Sequence, residues 1–291
     1  MQTLTKPISD IPHLGSGLGY RRELKGAIIE AQQSIDFLEI VADQFMDHPF
    51  ELDELEELRE IFPIIPHGVG LSIGTAAPLD QLYLRSIKQI CDVTRAPYFS
   101  EHLAMTRVPG INIGHLSPLW FSEEVLATAI DNVRQVQDYL CKPLVLENVT
   151  YLFDIPKASM SQAQFFSRLV DASGCGILLD VTNVFVNSVN HHFDPVSFLQ
   201  EMPLDNIVQI HLAGGYWSQG VLIDGHCKPV DEGSWTLLHT LADLIDIRGC
   251  ILEQDDDFPD KISDLVSQIA RAREIMSNGA GARTHTNRNR A

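Results

Sequence analysis

No run of 18 apolar residues occurs in this 291-residue chain, so no segment is long enough to span a bilayer as a helix. The first twenty residues, MQTLTKPISDIPHLGSGLGY, contain no basic stretch followed by an apolar one, which excludes a secretory signal there. Cysteine is sparse and scattered. Cys91, Cys141, Cys175, Cys227 and Cys250 are odd in number and include no C-x-x-C pair. A disulfide scaffold, a cysteine-built zinc site and an iron–sulfur cluster are therefore disfavoured, and free thiols in a reducing cytoplasm are expected. Positive charge is short as well. Lys plus Arg is 21 against 39 Asp plus Glu, a formal charge of −18. Such a chain is repelled by a phosphate backbone, so nucleic acid is not an expected partner. The same surplus suits a protein that gathers cations.

What the chain does have is alternation. Eight short apolar runs occupy residues 15–20, 37–41, 64–68, 98–102, 144–148, 177–181, 208–213 and 250–254. They are continuously rather than alternately hydrophobic, as parallel strands buried on both faces are. Helical patterns lie between them. Ser122 precedes Glu123 and Glu124, an N-cap followed by acids that suit the helix dipole. Ser161 is placed to cap a helix burying Phe165, Phe166, Leu169 and Val170. Asp194-Pro195 reads as N-cap plus first-turn proline, and Ser234 as the opening of a helix carrying Trp235, Leu237, Leu238 and Leu241. The chain length is close to the roughly 250 residues of a closed barrel. The expected fold is α/β, a single (β/α)₈ TIM-type barrel over residues 1–276, with a polar, aperiodic tail over 277–291 read as disordered.

The strand runs end in an unusual way. One stops at His67, the next at His102, the next at Glu147-Asn148. Another stops at Asp180 with Asn183 three residues on, and the last two at His211 and Glu253. Barrel strands deliver their C-terminal ends to one mouth, where active sites sit. The loop after His211 adds Asp224-Gly-His226, whose two side chains can face one centre from an extended segment. Each of these alone reads as a hydrogen-bonded core residue. Together they are costly to bury without compensating cations, by several kcal/mol per charge. Nine N/O candidates exceed what one tetrahedral ion needs, and mixed imidazole and carboxylate donors suit iron, manganese or zinc alike. His191 and His192 are read as a solvated pair that can also touch a substrate.

At these residues the chain resembles the multinuclear non-heme iron-dependent oxidative enzymes. The resemblance is carried by GLGYRRE, DFLEIVAD, HGVGLSIG, SEHL, LENVTY, LLDVTNVFVNSVNHHFDP, IHLAGG, LIDGHCKPV and ILEQDD, spanning residues 17–256. It implies a (β/α)₈ barrel with two or three irons of mixed Fe(II)/Fe(III) state. It also implies use of O₂ to rearrange a residue, usually cysteine, of a ribosomally made peptide, by β-carbon excision or heterocycle formation. Carried over by motif, His67, His102 and Glu147 hold one iron. Asp180, His211 and Glu253 complete a central pair with Glu147 shared, and Asn183, Asp224 and His226 hold the third. The chain departs from many relatives at Thr182, where they have Asn, and at Gly215, where they have His; the latter change is expected to open room beside the cluster. A separate leader-peptide-binding partner is expected, since the barrel uses almost all of the residues. The competing reading is a metal-dependent barrel hydrolase or isomerase acting on a small molecule.

Overall fold

The computed structural model describes residues 7–46, 49–153 and 155–280. Eight parallel strands close into a barrel: β1 (Gly15–Gly19), β2 (Leu38–Val41), β3 (Ile64–Gly68), β4 (Phe99–His102), β7 (Leu144–Glu147), β8 (Gly176–Asp180), β9 (Ile207–Leu212) and β12 (Gly249–Leu252). All eight expected strands are present, with ends within two residues of the sequence reading. β12 pairs with β1 and closes the ring. Helices α1 (Lys25–Glu30), α2 (Pro49–Arg59), α3 (Gln81–Thr94), α4 (Glu123–Leu140), α5 (Gln162–Ser173), α6 (Val181–His191), α7 (Pro195–Glu201), α8 (Glu232–Leu244) and α9 (Ile262–Asn278) occupy the connections and follow the last strand. α9 runs two residues into the segment read as tail; residues 281–291 of that tail lie outside the described residues.

The caps follow the local chemistry. Ser122 Oγ accepts from Val125 N, and Asp194 accepts from Ser197 N ahead of Pro195. Ser161 forms a reciprocal capping box with Gln164, satisfying two amides that have no helical partner. Ser234 is a correction. α8 begins at Glu232 after Asp231, and Ser234 is fully buried inside it. Gly233 lowers the helical signal of that first turn, but a Cβ there would strike the Phe185 ring, so packing selects the glycine against its propensity.

Two hairpins escaped the sequence reading. β5 (Met105–Val108) pairs with β6 (Ile111–Ser117) just after β4, and β10 (Tyr216–Ser218) pairs with β11 (Val221–Ile223) just after β9. Both stand at the C-terminal end of the barrel.

The interior is layered. Its floor is a cluster of Phe37, Ile65, Tyr98, Val145, Leu178, Val208 and Ile251, separate from the larger core between strands and helices. Two residues beyond the floor, on the same inward face, stand Glu39, His67, Glu147, Asp180 and Glu253. Side chains two apart share one face of a strand, so an apolar floor followed by a polar layer is the direct product of the alternation. β9 carries an extra residue against β8, where Ile207 pairs with Ile177 but Gln209 with Leu178. That bulge keeps Val208 in the floor while Gln209 and His211 face the polar layer.

Gly17 makes room for this floor, since a Cβ would run into the Phe37 carbonyl and lie 2.9 Å from Ile251 Cδ1. Gly17→Ala is expected to destabilise the fold by about 1–3 kcal/mol. Gly26→Ala, in α1 with nothing within 4 Å of the added carbon, should instead be neutral or stabilising by up to about 1 kcal/mol. Urea unfolding of both variants checks the contrast.

Candidate metal centre

Eight of the nine expected ligands come from the ends of β3, β4, β7, β8, β9 and β12 and from the loop beyond β11, and Asn183 joins them from the first turn of α6. His67, Glu147, Asp180, Asn183, His211 and Glu253 are buried, while His102, Asp224 and His226 are partly exposed. Three groups have donor atoms within 4.8 Å of one another: His67 with His102 and Glu147; Glu147 with Asp180, His211 and Glu253; and His226 with Glu253 and Asp255. Glu147 belongs to two groups and Glu253 to two, so the three are linked in a row. The two oxygens of Glu147 divide between neighbours. Oε2 lies 3.1 Å from His67 Nε2 and 3.3 Å from His102 Nε2, and Oε1 lies 3.4 Å from His211 Nδ1.

The ring orientations are set from behind. His67 Nδ1 is 3.0 Å from Ser100 Oγ, and His102 Nδ1 donates to the Gly68 carbonyl at 3.1 Å. Each leaves Nε2 facing the cluster. His211 is turned the other way: Nε2 lies 2.7 Å from Glu39 Oε1 and 3.0 Å from the Gln209 amide nitrogen, and Nδ1 faces inward. Glu39 is itself held by the Gln209 amide, which in turn accepts from Tyr98 OH. Asn183 Nδ2 donates to the Asn148 carbonyl at 2.9 Å, pointing Oδ1 at the site. Such outer partners fix which atom of each ligand is offered to a metal.

Among the described residues, seven buried side-chain polar atoms have no hydrogen-bond partner, and six of them are here: Glu147 Oε2, Asp180 Oδ2, Asn183 Oδ1, His211 Nδ1, Asp224 Oδ1 and His226 Nε2. Asp224 Oδ1 and His226 Nε2 lie 2.8 Å apart without hydrogen-bond geometry. Buried polar atoms are ordinarily paired. Six converging exceptions, all good N/O metal donors, fit a set of cations.

The electrostatics agree. Burial opposes ionisation of Glu147, yet the His102 and His211 imidazoles hold its carboxyl well below the usual range. Burial, reinforced by Asp224 and Glu147, pushes Asp180 well up. Burial disfavours the charged form of His102, but Glu147 and Glu101 raise it to about 9. His211 and His226 are likewise raised against burial, first by Glu253 and then by Glu39 and Asp224 respectively. Without metal, protons on imidazoles supply the positive charge that the carboxylates need.

Three residues of this centre were missed by sequence. Glu39 stands two positions after Phe37 on β2, on the same face. Glu101 accepts from His102 N and Leu71 N and so ties the HGVGLSIG loop to β4. Asp255 reaches His226 Nδ1 at 3.3 Å and pairs with Arg21. Three expectations change. His191 is not a free solvated ring: it bonds the Tyr151 carbonyl at 2.9 Å and stacks on that ring at 4.2 Å. Gly215 does not open space, because a Cβ there would sit 2.5 Å from the Ile223 carbonyl oxygen of the second hairpin. His226 has φ +47, so the Asp-x-His segment turns rather than running extended.

A barrel with a multi-donor mouth is the architecture of an enzyme, and the comparisons name the class. Residues 15–277 match the family described as RiPP precursor modification enzyme MbnB/TglH/ChrH, and the chain belongs to it. A UPF0276 protein of Acaryochloris marina is 36% identical over 245 residues, covering 84% of this chain and 89% of that protein. One of Caulobacter vibrioides is 34% identical over 268 residues, covering 90% and 95%. Among solved structures, a D-tagatose 3-epimerase-like protein superposes with TM-score 0.58 at 14% identity, covering 90% of this chain and 97% of that one. A D-psicose 3-epimerase from Clostridium cellulolyticum H10 gives 0.56 at 12%, covering 89% and 93%. These two likenesses show the fold alone. Among the described residues no helix is long and apolar enough to cross a membrane.

Metal uptake should be visible without any substrate. Ligands must be deprotonated to bind, and His102, with its pKa about 9, carries a proton at pH 7 in the metal-free chain. Adding Fe(II) or Zn(II) to chelator-treated protein in weak buffer at pH 7 should release protons. At metal concentrations about 100-fold above Kd it should also stabilise the fold by roughly 2.7 kcal/mol per site. Apparent affinity should fall as pH drops. A pH indicator and thermal melts, with Glu147→Ala as the weakened control, check this.

Proposed function

We propose that this chain is a multinuclear iron- and O₂-dependent oxidase that modifies a residue, cysteine in the first instance, of a ribosomally synthesised peptide. Membership of a precursor-modifying family supports the substrate class. The observation that carries the reading is the row of three donor groups sharing Glu147 and Glu253, since linked sites would let one ion hold a substrate thiolate beside a second that keeps an open position. Bound iron supplies a ligand position for a substrate thiolate and the electrons that reduce O₂.

The protein's own part is holding and orienting. His67, His102 and Glu147 form the first site and Glu147, Asp180, His211 and Glu253 the second. At the third, His226 would offer Nε2 beside the unpartnered Asp224 Oδ1 and Asn183 Oδ1, while Glu253 and Asp255 lie against its Nδ1. Glu39 and Gln209 hold His211 by its Nε2 edge, so that Nδ1 is the nitrogen offered. Asn148 keeps Asn183 Oδ1 inward. The buried donors exclude water from the closed side, and His102, Asp224 and His226 border the side from which a peptide can enter. A separate leader-binding protein, forming a heterodimer with this chain, completes the expected system.

Anaerobically prepared protein should hold about two to three irons per chain. His226 sits on a loop, where a ligand is held less rigidly than at a strand end, so His226→Ala should lose about one iron with unchanged circular dichroism. Glu147→Ala should lose about two, because both of its oxygens face donor groups. With a cysteine peptide present, the iron form should consume O₂ and the zinc form should not. Equal turnover by both forms would instead favour a metal-dependent hydrolase or isomerase.

A further inference from the structure

We infer that a cavity beside the metal centre is a subsite for one bulky apolar side chain of the substrate peptide, flanking the residue that reaches the cluster. The inference rests on the cluster being a peptide-modifying centre. Its first support is direction. The side chains of His67, Glu147, His211 and Glu253 are 5%, 2%, 0% and 9% exposed, whereas His102, Asp224 and His226 are 14%, 15% and 17% exposed. Asp224 is thus one of three donors at the open mouth of the cluster, and it also lines a cavity of about 350 Å³. A substrate reaching the cluster past Asp224 lies against this cavity.

The second support is its lining. Trp120 precedes α4, Leu152 and Phe153 lie in the loop after β7, and Leu222 and Ile223 belong to β11. Trp120, Leu152 and Phe153 are 48%, 71% and 66% exposed. Scattered exposed apolar residues are ordinary, but several converging on one concavity mark a binding surface. The walls are fixed in advance. Asn190 takes both the N–H and the carbonyl of Leu222, and His191 bonds the Tyr151 carbonyl. A preformed wall spares an occupant the cost of ordering it.

The third support selects the occupant. The volume is at the low end for ligand pockets, roughly 300–1,000 Å³, enough for one large side chain. Among the described residues the lining contains no Lys or Arg, and its titratable members are His115, Tyr151 and Asp224. Apart from His115, no described side chain there would attract the carboxylate of a free amino acid or fatty acid, or a phosphate, and Asp224 with the −18 chain charge repels them. A side chain within a peptide brings no such charge.

Capped tetrapeptides test this by calorimetry on the full chain. They carry Cys or Ser at the reacting position and Phe or Ser one or two residues to either side. In at least one placement Phe should tighten binding about tenfold over Ser, with or without bound iron. Trp120→Ser/Leu152→Ser/Phe153→Ser, all at exposed positions, should reduce that gain to about twofold or less. The preference for Cys over Ser should appear only in the iron-loaded protein. If no placement of Phe tightens binding, or if the gain survives the triple variant, the subsite is wrong. Acetyl-phenylalanine with its free carboxylate competing as well as the amide would overturn the peptide assignment. Loss of the thiol preference with the Phe preference intact would overturn the metal reading and leave the subsite standing.

Discussion

The constraint on which the rest of this structure turns is the burial of negative charge at one end of a barrel. Glu39, Glu101, Glu147, Asp180 and Glu253 are all buried within a few strands of one another. Unpaired, each would cost several kcal/mol. The metal-free chain answers by keeping protons: imidazoles rise, and Asp180 is pushed toward its neutral acid. That answer leaves Glu147 Oε2, His211 Nδ1 and four other buried atoms without partners. Protonation balances the charge but cannot satisfy the geometry. Cations would do both, which is why the same residues are expensive as a core and economical as a binding site.

Stability has to come from elsewhere, and the layering shows where. The floor of Phe37, Ile65, Tyr98, Val145, Leu178, Val208 and Ile251 fills the lower interior. The strand–helix core built from residues such as Leu38, Ile40, Leu146, Leu179 and Leu252 surrounds it. Six of the eight barrel strands thus turn outward positions to packing and carry, at or just past their ends, an inward side chain of the candidate cluster: His67, His102, Glu147, Asp180, His211 and Glu253. Rigid strand ends are also the best places to hold ligands within fractions of an ångström. The loops serve a different purpose: both hairpins and the Tyr151–Phe153 segment stand at the same end and shape the approach to the cluster.

This division explains what was legible in the sequence. Parallel strands buried on both faces read as apolar runs, so all eight were found, and a polar residue ending such a run is conspicuous; His67, His102, Glu147, Asp180, His211 and Glu253 were found that way. Glu39 was missed because it sits inside its run, Phe37-Leu38-Glu39-Ile40, and not at the end. Counting two forward from the floor residue finds it. Asp255 was hidden among Asp255-Asp256-Asp257, where an acidic loop looks like solvated surface. The hairpins left no periodicity to read, since five of the seven residues of β6 and all three of β10 are exposed. Their turns did leave marks: Pro109-Gly110 with φ +79 at the glycine, and Gln219-Gly220 with φ +50 and +83, the paired positive values of a tight hairpin turn.

The bulge in β9 shows how closely floor and cluster are coupled. Strict alternation from Val208 would put Ile210 inward and turn His211 to the helices, since a one-residue slip exchanges the two faces of a strand. The extra residue between the Ile207 and Gln209 pairings lets one strand supply an apolar floor residue and, three positions later, a candidate ligand. It also brings Gln209 inward between Tyr98 and Glu39, completing the chain of bonds that orients His211. Without the bulge this strand could not place both Val208 in the floor and His211 Nδ1 toward Glu147 and Glu253, so the apolar layer and the polar layer meet here through one broken step of the ladder.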